Sequence, residues 1–327
     1  MAVDWYRTPL PSAVFKQLHE RSDLRALWQA GGFLALALGA SGFTYWAWHG
    51  RHWLLTALGL YAYGIIAHFY VNGMHELSHG TVFRTKWLGQ AFLRVISFLG
   101  WLHPEAFNAS HQRHHRFTLH PPDDLEVTLP ATFTVRHFFV HLVFNPGFCW
   151  FMIRRTWRLA TGHVDSMWDQ VCLPDSQPDL RAAVVRWARL VLAGHVLVAV
   201  VSFATGQWII PLLISTGPFI GGGLWFLCNN SQHTGRRDNV PDFRLCCRTI
   251  EPNALVRFLY WQMNYHTEHH MYAAVPCYHL ARLHREIRHE LPPVVGLIGA
   301  WREIAAVQRR QRADPTYVPE VHLPVGP

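Results

Sequence analysis

The chain has 327 residues, of which 15% are charged, 14% aromatic and 23 histidine, and it carries a formal net charge of +8. That length allows one large domain or two small ones. The basic residues flank apolar stretches without forming an aromatic-interleaved patch, which argues against nucleic-acid binding, and the six cysteines contain no C-x-x-C pair, which argues against a zinc ribbon.

Residues 1–25 form a polar lead with Arg7, Lys16, Arg21 and Arg25. No residue is formally charged from Ala26 to Gly50 or from His52 to His75, and each run is long enough to cross a bilayer. "HELSH" begins where the second run ends, so that helix is expected to continue past the membrane and carry His75 and His79 on a rigid support. Residues 87–104 and 137–153 are apolar but interrupted, the first by Arg94 and the second by "NPG" at 145–147. They read as amphipathic or partly buried helices at the interface. Between them lies "SHQRHH", with His111, His114 and His115, followed by Asp123, Asp124 and Glu126, which read equally as acceptors for ligand imidazoles or as a solvated acidic turn.

A further charge-free run extends from Leu190 to Gly235, and Gly206 and Gln207 divide it into two spanning lengths. The chain emerges as "CNNSQHTGRR", delivering Asn229, Asn230 and His233. A polar loop over 238–253 and a helix around 254–263 lead into "NYHTEHHMY", with His266, His269 and His270. "YHLARLHREIRHEL" has the pattern of an amphipathic helix, and "DPTYVPEVHLPVGP" that of a tail.

The expected fold is an all-α integral membrane protein: four transmembrane helices in two hairpins, with a cytosolic His-rich helical cap. A soluble all-α protein with buried helices is the alternative. One domain is expected over 1–327, with its core at about 50–295. The hairpin turns near Arg51 and Gly206 are nearly uncharged while the termini and the middle segment are Arg-rich, so the positive-inside rule puts both termini and all three His clusters on the cytosolic side. Basic residues such as Arg154, Arg155, Arg158, Arg236 and Arg237 would then sit beside anionic headgroups.

Positions i, i+3 and i+4 share a helix face, so each His cluster can aim ring nitrogens at a common point. Neutral imidazole suits zinc, copper, iron and nickel, and eight clustered histidines exceed the needs of one tetrahedral zinc. Two six-coordinate irons would use them, and such a centre beside an apolar bundle suits the oxidation of a hydrocarbon. His68 and His195, inside the spans, read as pocket-lining or hydrogen-bonded, and His103 and His120 as turn residues. Glu76 and Glu268 read as hydrogen-bond acceptors or partners of an arginine.

"HELSH", "HQRHH" and "HTEHH", in that order and straddling the second hairpin, resemble the three histidine boxes of the membrane fatty acid desaturase superfamily over about residues 50–295. The first box and "DDLEVTLP" look most like the sphingolipid-desaturase and bacterial acyl-lipid branches. The resemblance implies that His75, His79, His111, His114, His115, His266, His269 and His270 bind two irons, with His233 and, through water, Asn229 completing the site. It implies an O2-dependent acyl-lipid desaturase acting on an acyl chain in the membrane. No His-Pro-Gly-Gly haem motif occurs, so a separate electron donor of ferredoxin or cytochrome b5 type is implied. A hydroxylase with the same diiron site is the nearest alternative. A metal transporter or haem-binding electron carrier is a distant one, since it would place its ligands inside the spans.

Overall fold

The computed structural model describes residues 3–324 and is all-helical, with no strand among the described residues. A short helix α1 (Ser12–Leu18) precedes α2 (Asp23–His49) and α3 (Trp53–Ser78). These two long helices pack against one another and are joined by a tight turn in which Arg51 takes a positive φ of 58°. Both α2 and α3 are apolar and long enough to cross a membrane, as is α9 (Pro178–Ala204). Their apolar faces are not covered: only 28% of the most apolar stretch is buried in α2 and in α9, and Leu38, Leu54 and Leu197 are exposed. A water-soluble protein would bury such faces, so the outward surface is one for lipid.

The second long helix does continue into "HELSH". Its path gives way at Phe69 (ψ 3°), and the segment Tyr70–Ser78 then carries His75, with His79 as its cap. The expected interfacial helices are α4 (Lys86–Leu99), α6 (Val135–Leu142) and α7 (Pro146–Ala160). Arg94 interrupts the apolar face of α4 but pairs with Glu105 at 2.5 Å and lies over the Trp187 ring. The "NPG" break separates α6 from α7, because Asn145 caps the new helix by accepting from the Phe148 amide and Pro146 opens its first turn. Between α4 and α6, α5 (Pro104–Phe117) carries the second cluster, and α8 (Met167–Cys172) packs against it.

Among the described residues three helices are long enough to span, and the expected fourth span is not one continuous helix but is broken in two. Ile209–Phe219 (α10) is followed by Gly223–Asn230 (α11). The interruption falls at "GPFIGGG", where Gly221 adopts φ +73° and Pro218 lacks an amide proton for the helix ladder. The broken segment presses on α3. A Cβ on Gly64 would lie 2.4 Å from the Ile220 carbonyl oxygen, and one on Gly217 would lie 2.2 Å from the Tyr63 ring.

The expected loop at 238–253 contains the four-residue helix α12 (Phe243–Cys246) and is buried at Phe243 and over 246–250. Next come α13 (Ala254–Leu259), α14 (His266–Met271) with the third cluster, α15 (Cys277–Ile287) and α16 (Leu297–Ala313). Between α13 and α14 the chain reverses through Trp261 and Gln262, both at positive φ. Trp261 is fully buried, with Phe33 edge-on and Gly73 so close that a Cβ there would sit 2.8 Å from the indole. This aromatic contact ties α2 and α3 to the segment that leads into the third cluster. The tail from Asp314 lies along α16, where the Arg310 guanidinium donates to the Tyr317 hydroxyl at 2.9 Å; residues 325–327 lie outside the described residues.

Candidate metal centre

The three clusters converge in space but do not stay together. One group comprises His75, His79, His111, His115 and His269, and another His114, His233, His266 and His270; within each, one nitrogen per ring lies within 4.8 Å of the others. Helix geometry makes the division. Successive residues are turned by about 100°, so His111 and His115 at i, i+4 share a face of α5 while His114 points aside. In α14 the same rule pairs His266 with His270 and sends His269 to the other group.

The rings are oriented uniformly. In the first group the His111 and His115 Nε2 atoms are 2.9 Å apart, and those of His115 and His269 3.1 Å apart. In the second, His233 and His266 Nε2 are 2.9 Å apart, and His266 and His270 Nε2 3.1 Å. His75 and His79 also bury an Nε2 that has no hydrogen-bond partner. Nitrogens at about 2.0–2.1 Å from one metal ion and at right angles to each other would be about 3 Å apart. The spacing therefore fits a metal in each group.

In five of the rings the opposite nitrogen faces an acceptor, whereas Nδ1 of His115, His266 and His269 is buried without a hydrogen-bond partner. His111 Nδ1 donates to Glu126 at 2.8 Å, His114 Nδ1 to Asp124 at 2.8 Å and His75 Nδ1 to Glu76 at 3.0 Å. His233 Nδ1 donates to the Cys246 carbonyl at 2.9 Å. The Thr118 hydroxyl donates to the His114 carbonyl, which leaves its oxygen to accept from His270 Nδ1 at 3.1 Å. In those five rings the partner fixes the tautomer that leaves the Nε2 lone pair free for a metal. Of the two readings of the acidic stretch, the acceptor role is the one realised by Asp124 and Glu126, whereas Asp123 is half-buried beside Arg113 and touches no histidine of either group.

Electrostatics keep the set neutral. Burial, followed by repulsion from neighbouring imidazoles, holds His111, His115, His266, His269 and His270 well below the ordinary histidine range. Burial pushes His233 down to about 3. His114 differs: burial opposes its charge, but Glu126 and Asp124 outweigh it and raise its pKa. Neutral imidazole is the form that binds a metal.

Asn229 lies at the end of α11 with its side-chain oxygen accepting from Asn72 at 3.0 Å, while Asn230 donates back to its own helix at Phe226. Glu268, fully buried, accepts from Thr249 at 2.5 Å and from His284. His195 bonds Ser215 and the Phe98 carbonyl, and His68 bonds the Gly64 carbonyl, so both are hydrogen-bonded inside the bundle as read from the sequence. His103, just before α5, bonds Thr156, and His120 bonds the Thr118 carbonyl. Two residues escaped sequence reasoning: Ser110, which donates to Glu126 at 2.5 Å, and Trp168, which donates to Ser110 at 2.9 Å. Trp168 belongs to a helix far along the chain, and no local pattern links it to the cluster.

Fold and site together define a helical membrane protein built around two buried histidine groups suited to metal. Sequence comparison agrees: the fatty acid desaturase family matches residues 51–300, and the chain belongs to that family. Membership makes it an oxidoreductase. A comparison with curated proteins finds no match.

Proposed function

We propose that the chain is a membrane diiron acyl-lipid desaturase. The observation that carries this reading is the pair of inward-facing Nε2 arrays, with neighbouring nitrogens spaced at 2.9–3.1 Å. His75, His79, His111, His115 and His269 would hold one iron and His114, His233, His266 and His270 the other, with Asn229 near the second site. Five nitrogens in the first group exceed a tetrahedral zinc site and suit a six-coordinate metal. Desaturation removes two hydrogens from adjacent carbons; with dioxygen, two protons and two electrons from a separate donor, it yields a double bond and two waters. Bound iron would supply the redox chemistry with dioxygen that an unactivated methylene requires.

The chain's own residues bind, orient and exclude water. Asp124, Glu126 and Glu76 hold the imidazoles from outside, and the burial of both groups keeps bulk water from the reacting carbons. A largely apolar cleft of about 470 Å³, lined by Leu34, Ala37, Tyr63, Tyr70, Leu99 and Leu213 among others, lies between α2, α3, α4 and α10. Tyr70 precedes His75 by five residues, about 7–8 Å along the helix. An acyl chain in this cleft would run toward the histidines.

Orientation follows from the turns. The Tyr45 hydroxyl and His49 Nε2 both reach the Gln207 side-chain oxygen at 3.1 Å, so the turns near 50 and 206 share one end of the molecule. Trp46, Trp53 and Trp208 are exposed there, as at a membrane–water boundary. The Arg-rich termini and the histidines would face the cytosol from the opposite end.

The test is a mass-spectrometric lipid profile of cells expressing the wild type beside His269→Ala, with an electron donor supplied. A lipid lacking two hydrogens, present only with the wild type, is expected. A product gaining one oxygen would replace desaturation by hydroxylation, and an unchanged His269→Ala product would sink the ligand assignment.

A further inference from the structure

Next to the second histidine group the structure buries more positive charge than it balances. The side chains of Arg236 and Arg248 are 10% and 1% exposed, yet among the described residues they share one carboxylate, the half-exposed Glu303, at 3.9 and 3.5 Å. Neither contact has hydrogen-bond geometry, and the Nε of each arginine is buried without a partner. Arg248 spends its Nη1 on the Ser231 and Thr234 carbonyls, whose dipoles partly replace water around it but do not neutralise its charge. Buried charges are retained where they are paired, and removing water from two guanidinium groups for half of one carboxylate is a large uncompensated cost.

The imbalance faces a cleft of about 370 Å³. Arg236 and Arg310 line it together with two carboxylates, Glu303 and the exposed Glu320, and Gly235 lies where an added Cβ would meet the Arg248 guanidinium at 3.7 Å. Pro293 and Val307 supply apolar walls. Guanidinium groups converging on one small cavity match the oxygens of a phosphate group. We propose that this cleft binds the phosphate of a small molecule or a lipid headgroup, with Arg236 and Arg248 beneath it and Arg310 at the mouth. The Arg236 amide donates to the His233 carbonyl at 3.0 Å, so an occupant would sit one turn from the second histidine group.

Thermal unfolding of the purified full-length protein in detergent tests this. Inorganic phosphate should raise the midpoint saturably, while chloride at matched ionic strength should not. Glu303→Gln removes the carboxylate paired with the buried arginines: it should lower the midpoint without phosphate and bind phosphate about tenfold more tightly. Arg310→Gln, at an exposed position where folding is not at stake, should bind about tenfold more weakly. Phosphatidate in mixed micelles acting at lower concentration than inorganic phosphate would assign a headgroup, and the reverse order a soluble phosphate. An equal rise with chloride, or equal phosphate binding by wild type and Arg310→Gln, would overturn the proposal.

Discussion

Asp124 is fully buried, and its carboxylate accepts from His114 Nδ1 at 2.8 Å and from the Leu119 and Glu126 amides at 2.8 and 2.9 Å. Burial alone would raise its pKa, but His114 and these two amides lower it, so it stays ionised. It therefore holds both the ring of His114 and the turn that places Glu126 behind His111. Asp124→Asn keeps the volume and removes the charge, and an amide has one acceptor oxygen where the carboxylate has two. Loss of an outer partner of this kind weakens metal binding by roughly 10–100-fold. Iron content and affinity of the purified variant would check this, and wild-type affinity would remove Asp124 from the site. The sequence made the histidines conspicuous but left the acidic stretch open, because whether a carboxylate faces solvent or an imidazole depends on how the chain after Phe117 folds back. Leu119, at φ 56°, takes part in that reversal.

The break in the last apolar run shows that the absence of charge does not by itself make a stretch one continuous helix. A charge-free stretch satisfies the membrane's demand for low polarity whether or not it is helical throughout. Glycine and proline decide the backbone, and the neighbour decides how much glycine is needed. At Gly64 an added methyl would collide with the Ile220 backbone oxygen, which cannot move without shifting the whole turn. Gly39, on α2, has nothing within 4 Å of the added carbon. Gly64→Ala should therefore cost at least about 1–3 kcal/mol through overpacking, while Gly39→Ala should be neutral or stabilise by up to about 1 kcal/mol through helix propensity. Thermal unfolding in one detergent would compare them, and equal midpoints would show that the α3 contact is not tight. By contrast α2, α3 and α9 were readable as elements, since each combines length, low charge and helical continuity.

For the molecule as a whole, the meeting of Gln207 with Tyr45 and His49 relates two regions far apart in sequence. If the turns face away from the cytosol, a reporter active only in the cytosol should work when fused to either terminus and fail when inserted at Gly206. Activity at Gly206 would invert the orientation, and opposite results at the two termini would mean an odd number of crossings.

Composition and spacing by themselves determined the helical class, the long apolar helices and which histidines are clustered, because hydropathy and i, i+4 periodicity are local properties carried by neighbouring residues. Only the tertiary structure decided that each of the second and third boxes divides between two groups, that the last apolar run breaks against α3, and that Glu126 rather than Asp123 stands behind His111. Those outcomes depend on the angle at which one helix meets another and on which side chain arrives from a distant segment. No local pattern of residues encodes either.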